Sequence, residues 1–240
     1  MTIEWIGLLI CGWLAATVSG FVGFGGALLL LPVLALVVGP KAAVPILTIA
    51  QLLGNLSRAG FGWRDIRWRP SLEFGAGAIP ASIAGSRLFA DLPAGRVGQV
   101  IGCCLLGLVA WRHTKLGKRD LPAWFLIPAG AGVGFLSALA GSAGPLGAAV
   151  FLSLNLPARS YIASEATAAV IIHLSKSMIY GRYSLLNRLE LLSGLALGVS
   201  MILGSWTGRK LVERIEGKRF VLLVECLLVV SGVSLLFTPA

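Results

Sequence analysis

The chain has 240 residues, 57% hydrophobic and only 12% charged, with a mean hydropathy of +0.88. Soluble domains carry about 25% charged residues, so the composition excludes a water-soluble globule and indicates an integral membrane protein. The formal charge of +10 does not indicate nucleic acid, because the basic residues lie in short loops between apolar runs and form no stripe or arm.

The first apolar segment, about 5–19, follows an N-terminus with Glu4 and no Lys or Arg before Lys41. It lacks the basic region and cleavage site of a signal peptide and is expected to be retained. Further segments follow at about 25–38, 42–57, 72–90 and 97–111. A second series occupies about 122–139, 146–154, 162–180, 189–207 and 220–237. Several fall short of the roughly 20 residues that cross about 30 Å of hydrocarbon, and the short ones flank glycine breaks. Cys11, Cys103, Cys104 and Cys226 all lie in apolar stretches without metal or redox spacing and read as packing residues.

The first break is GFVGFGGALLLLP at 20–32, and its echo is GFLSALAGSAGPLGAAVFL at 134–152. Interrupted apolar segments at matching places in two halves point to a transporter's substrate site. Irregular backbone at membrane depth needs protein or water around it, since lipid offers no hydrogen-bond partner. Gly23 and Gly26 pair with Gly141 and Gly144 at an offset of 118, as Leu56-Ser57-Arg58 pairs with Leu174-Ser175-Lys176. The expected fold is therefore all-α: one polytopic transmembrane domain over 1–240, built of two repeats, about 1–119 and 120–240. Each repeat has about five hydrophobic helical segments, including a broken or re-entrant pair.

Loop charge relates the halves. Loops 58–70, 112–121, 155–161 and 208–219 hold 14 Lys and Arg, and the opposite side holds five. The positive-inside rule makes the first group cytoplasmic and puts both termini outside. Were each broken pair to cross once, the same loops would divide 10 to 9 with no bias. An odd number of segments per repeat inverts the repeats; ten crossings and a smaller number with re-entrant pairs both keep that parity.

Gly23, Gly25, Gly26, Gly141 and Gly144 permit positive φ and remove side-chain bulk, and Pro145 suits the first turn of a helix. Helix starts there would offer N–H groups and a positive dipole end to an anion; close packing through small residues is the competing reading. Thr48, Gln51, Asn55 and Arg58, spaced 3, 4 and 3, share one helical face that cannot meet lipid. Glu165, His173 and Lys176 form a similar arc in the second half, with Ser164, Thr167 and Ser175 adding hydroxyls. Such residues line cavities, although Arg58 and Lys176 could instead reach the interface from helix ends. Glu165 and Glu225 are candidate proton-relay carboxyls, and Glu73 reads as interfacial. No Walker loop, HExxH, GxSxG or paired aspartate is present, so no enzyme chemistry is indicated.

The motif GFVGFGGALLLLPVL ending past Pro32, its weaker second copy, the polar helices after each and the Gly85-Ser86-Arg87 segment end resemble the TauE/SafE family, also called sulfite exporters or toluene sulfonate uptake permeases. The resemblance covers nearly the whole chain. It implies transport of a small sulfur-containing anion, such as sulfite, sulfoacetate, another organosulfonate or thiosulfate, across a bacterial inner membrane. The second motif departs from the family's GxGGG pattern at Ser142, Ala143 and Pro145, and Val150 stands where the first repeat has Pro32.

The expected function is a secondary transporter working by alternating access through rocking of the repeats. The anion would contact Gly23, Gly25, Gly26, Gly141, Ser142, Gly144, Gln51, Asn55, Arg58, His173, Ser175 and Lys176, with proton coupling through Glu165 or His173. No cofactor, metal or nucleic acid is implied; the partners are the anion and the lipid bilayer, and a homodimer is compatible with the sequence. A passive anion channel and a membrane scaffold or enzyme are the rival classes.

Overall fold

Glycines with left-handed backbone interrupt the first hydrophobic run, and another closes the run before the second break. The structure is a computed structural model describing residues 3–93, 96, 99, 100, 103, 106, 107, 110, 123–211, 229 and 233. Helix α1 (Ile3–Val22) ends where Gly23 and Gly25 take φ of 89° and 101°, and α2 (Gly26–Val38) begins immediately after. Helix α3 (Pro40–Phe61) follows a one-residue turn at Gly39, and α4 (Trp68–Asp91) follows a short 3-10 turn. In the second half α5 (Leu126–Ala140) stops at Gly141, φ 76°, and α6 (Gly144–Leu152) starts with Pro145 in its first turn. Helices α7 (Ala158–Arg182) and α8 (Arg188–Leu211) complete the described elements, among which there is no strand.

These helices fall on the predicted segments but run two to four residues further at several ends. The apolar windows missed ends such as Arg58–Phe61 and Trp68–Ser71, whose polar residues continue the helix outside the apolar stretch. Segments 97–111 and 220–237, with Glu225, Cys104 and Cys226, lie outside the described residues or at isolated positions within them.

Each break is a hairpin. A Cβ on Gly26 would touch the Ala15 carbonyl at 3.1 Å, so α2 turns back along α1; likewise Gly147 of α6 faces Val133 of α5 at 3.8 Å. At 1.5 Å per residue the 13-residue α2 is about 20 Å long and the nine-residue α6 about 14 Å. Among the described helices, Ile3–Gly20 and Arg188–Lys210 are long and apolar enough to cross a membrane, and Gly26–Val38 and Leu126–Ala140 are shorter apolar helices.

The ends of the bundle are defined by side-chain contacts. Lys41, at the start of α3, donates to the carbonyls of Phe89, Ala90 and Leu92 at 2.6–2.9 Å, which fixes one end. At the far end of α3, Gly62 and Asp65 surround a cavity together with Arg159 and Arg209. Helix α2 leads to the Lys41 end and α6 leads to the Arg159 end. The two short helices therefore begin in the middle of the molecule and run opposite ways.

The halves interlock. Helix α1 packs on α8 and α5 packs on α4, so each long arm of a hairpin lies against the fourth helix of the other half. Glycine makes both seams close: an added Cβ would meet the Phe135 carbonyl at 2.8 Å from Gly85 and the Ala78 carbonyl at 2.7 Å from Gly134, and from Gly204 and Gly208 it would strike the carbonyls of Trp13 and Thr17. The buried side chains divide accordingly. One cluster joins Leu30, Leu31 and Leu34 of α2 to Leu47 of α3 and Leu197 and Met201 of α8. The other joins Phe74 of α4, Val133 of α5, Phe151 of α6 and Ile172 of α7.

Candidate functional site

Between the two clusters, where α2 and α6 start, lies a cavity of about 50 Å³. A single water needs roughly 10–15 Å³ on this measure, so the space suits a few waters or one small polyatomic ion. Its floor and roof are the helix starts themselves, Gly25–Ala27 from one side and Ser142–Gly144 from the other. At α2 the first-turn amides have no intrahelical carbonyl to bond, and the N-cap residue Gly25 carries no side-chain cap. At α6 the Gly144 amide donates to Ser142 Oγ at 3.3 Å, Pro145 has no N–H, and the Leu146 and Gly147 amides donate to the Ala143 carbonyl at 3.0 and 3.2 Å, so this start offers its dipole without a free amide. Two positive helix ends thus converge on one space.

Helices α3 and α7 supply the walls. Gln51, Asn55 and Arg58 line the cavity from α3, and Glu165 and His173 from α7. The 3.6-residue period puts Gln51, Asn55 and Arg58 on one face of α3, as their spacing predicts. Thr48, on the same face, is buried but does not line the cavity; its hydroxyl donates to the Val44 carbonyl at 2.8 Å.

Arg58 does not extend to a surface. One guanidinium nitrogen donates to the carbonyls of Ser19 at 3.1 Å and Gly23 at 2.7 Å, closing the end of α1. The other donates to Asn55 Oδ1 and stands 3.4 Å from Glu165 Oε2 across the cavity. The planar fork of arginine allows this double duty.

Lys176 repeats the first half of that pattern. Its ammonium donates to the carbonyls of Ser137 at 2.8 Å and Gly141 at 3.1 Å and to Ser137 Oγ at 3.3 Å. The acceptors Ser19 and Gly23 lie 39 and 35 residues before Arg58, and Ser137 and Gly141 lie 39 and 35 residues before Lys176. An ammonium has three donors and all three are used here, so Lys176 has nothing left to offer a ligand.

Four of the expected site residues do not line this cavity. Gly23 and Gly141 do not line the cavity; their positive φ ends α1 and α5, and their carbonyls are turned onto the two bases. Lys176 lies behind the wall for the reason just given, and Ser175 Oγ donates to the Ile171 carbonyl at 2.9 Å, away from the cavity. Gly25, Gly26, Ser142, Gly144, Gln51, Asn55, Arg58, His173 and Glu165 are brought together around it. The reading of Arg58 and Lys176 as interface-reaching side chains does not hold, since both turn inward.

Several lining residues were not anticipated. Ser19 and Ser137 are one example, and the 118-residue offset that pairs Gly23 with Gly141 also pairs them. Phe24, inside the first glycine motif, and Phe74 and Val133, from α4 and α5, are apolar and carry no sequence signal of proximity to a polar space.

Among the described residues, buried side-chain atoms without a hydrogen-bond partner include Gln51 Nε2, His173 Nδ1 and Glu165 Oε2. All three belong to cavity-lining residues. Leaving such an atom unpaired costs about 1–3 kcal/mol, so their gathering at one void marks a place that expects a polar occupant. The 3.4 Å separation from Arg58 is an ion contact without hydrogen-bond geometry. No group of three His, Cys, Asp or Glu among the described residues is arranged to hold a metal.

In comparisons with known proteins, the family described as Sulfite exporter TauE/SafE matches residues 8–235, nearly the full length. No curated protein and no solved structure gives a match.

Proposed function

Because the chain belongs to the TauE/SafE sulfite exporter family, whose members are membrane transporters, we propose that it carries a small sulfur-containing anion through the cavity between α2 and α6. The observation that carries this reading is the convergence of two helix starts, that of α2 with unbonded amides, and of the unpartnered Gln51 Nε2 and His173 Nδ1 on a space the size of a small ion. Gln51 Nε2 and the first-turn amides of α2 donate to the anion's oxygens, and Arg58 supplies charge. A volume of about 50 Å³ favours sulfite or thiosulfate over bulkier organosulfonates in this conformation.

The transporter sits in the bacterial inner membrane with the loops 58–70 and 155–161 in the cytoplasm and both termini outside. The two halves are inverted repeats in which each hairpin places a helix start at mid-depth, the pattern of secondary carriers. The moving bodies are not the two sequence halves. One buried cluster draws mainly on α1, α2, α3 and α8, with Phe89, Leu139 and Tyr180 of α4, α5 and α7 reaching into it, and the other on α4, α5, α6 and α7; alternating access is the relative rocking of these two groups along the α3–α7 contact.

Glu165 couples the cycle to protons. An anion entering beside this carboxylate is repelled until the carboxyl takes up a proton, so anion and proton are carried together. Counterflow of labelled sulfite in proteoliposomes tests the carrier reading. Saturable exchange that is accelerated by unlabelled sulfite on the far side is expected, and a linear, non-exchanging leak would replace it with a channel.

A further inference from the structure

A second cavity, of about 110 Å³, lies at the Arg159 end of the bundle and touches the first through a shared residue. Arg58 lines both. Arg159 of α7 and Arg209 of α8 face the outer space with it, and among the described lining residues Asp65 is the carboxylate, while Arg58 is paired with Glu165 on the inner side. Arg209 also lies 5.8 Å from the ring of Phe61 in the same wall, which restricts its side chain.

Arg58 is common to the two spaces, and Tyr161, which lines neither, lies behind it. The Tyr161 ring lies against Gly23, where a Cβ would come within 2.5 Å of it, and Gly23 in turn holds Arg58 through its carbonyl. The Tyr161 hydroxyl is buried without a hydrogen-bond partner, and its neighbours Ile162 and Ala163 line the outer cavity.

Resting on the transport reading, we infer that the outer cavity is a second station for the same small oxyanion, held by Arg159 and Arg209 and handed on to the shared Arg58. The competing role for Arg159 is structural. Lys41, 118 residues earlier, gives its ammonium to the carbonyls at the end of α4, and Arg159 could do the same for α8.

Titration of the purified full-length chain with sodium sulfite separates these roles. The wild type is expected to bind two anions per chain. Arg159→Gln/Arg209→Gln should weaken the second event at least tenfold and leave the tighter one within threefold. In oriented proteoliposomes the same variant should raise KM at least tenfold for sulfite supplied at the Arg159 face, with kcat and the opposite-face KM unchanged. Arg159→Lys/Arg209→Lys should restore both measurements to within threefold of wild type. A single anion per wild-type chain, or a lowered Tm in the glutamine variant with both affinities and both KM values unchanged, overturns the second station and leaves the central carrier site standing. Absence of any sulfite binding in the wild type overturns both.

Discussion

Arg58 and Glu165 face one another at 3.4 Å across the α3–α7 contact, each with a side chain only 6% exposed. They are the ion pair that joins the two packed bodies across the cavity, and Arg58 is at the same time the cap of α1. Removing one partner of a buried pair strands the other charge at a cost of about 3–5 kcal/mol. Arg58→Met and Glu165→Met should therefore each lower unfolding stability by that order in detergent. The double variant should recover part of the loss, less than all of it because the α1 carbonyls stay uncapped, while sulfite affinity remains at least tenfold down. Equal stability of the singles and the wild type would show the pair to be energetically idle.

Lys176 should behave differently from its counterpart. Lys176→Met leaves two buried carbonyls unpaired, about 1–3 kcal/mol each. A lowered melting temperature with sulfite affinity within threefold of wild type is expected from calorimetry on the same preparation. A tenfold loss of affinity in a normally stable variant would put the ammonium in the site after all.

Two glycines with positive φ separate strain from obstruction. Gly25 has φ of 101° at the cavity wall, and Gly39 has φ of 82° with nothing within 4 Å of an added Cβ. Alanine at either should cost about 1–3 kcal/mol of stability, at Gly25 (ψ −19°) through left-handed strain and at Gly39 (ψ 152°) through a backbone region open essentially to glycine alone. Gly25→Ala alone should also cut sulfite uptake at least fivefold, and uptake equally impaired in both would assign the effect to folding.

Gln51→Leu should move stability and binding in opposite directions. Its Nε2 is buried without a partner, so replacing the amide with an apolar group of similar size removes an unpaired donor and raises stability by about 1 kcal/mol. Sulfite binding should weaken about tenfold. A variant that is less stable and binds normally would mean that the amide has a structural partner.

The helices were legible because apolar length and glycine punctuation are local properties of the chain. The polar face of α3 was legible because Gln51, Asn55 and Arg58 repeat at helical spacing, and three of the four residues singled out on it line the cavity. Which base reaches the cavity was not legible. Arg58 and Lys176 occupy matching places, and only the number of donors on each head group, together with the Ser137 hydroxyl beside Lys176, makes one a bridge and the other a closed cap. The exchange of α4 and α8 between the halves was equally hidden, since small residues such as Gly77 and Gly208 record a close approach without naming the helix that makes it.

That exchange bears on how the chain is made. The face of α1 that carries Gly20 is covered by Ser205 and Gly208, so the first helix to leave the ribosome waits for nearly the last described one before its seam can close. A nascent chain halted before residue 188 would expose that stripe to lipid or to insertion machinery, and protease protection of the N-terminal hairpin should come only when α8 has been synthesised.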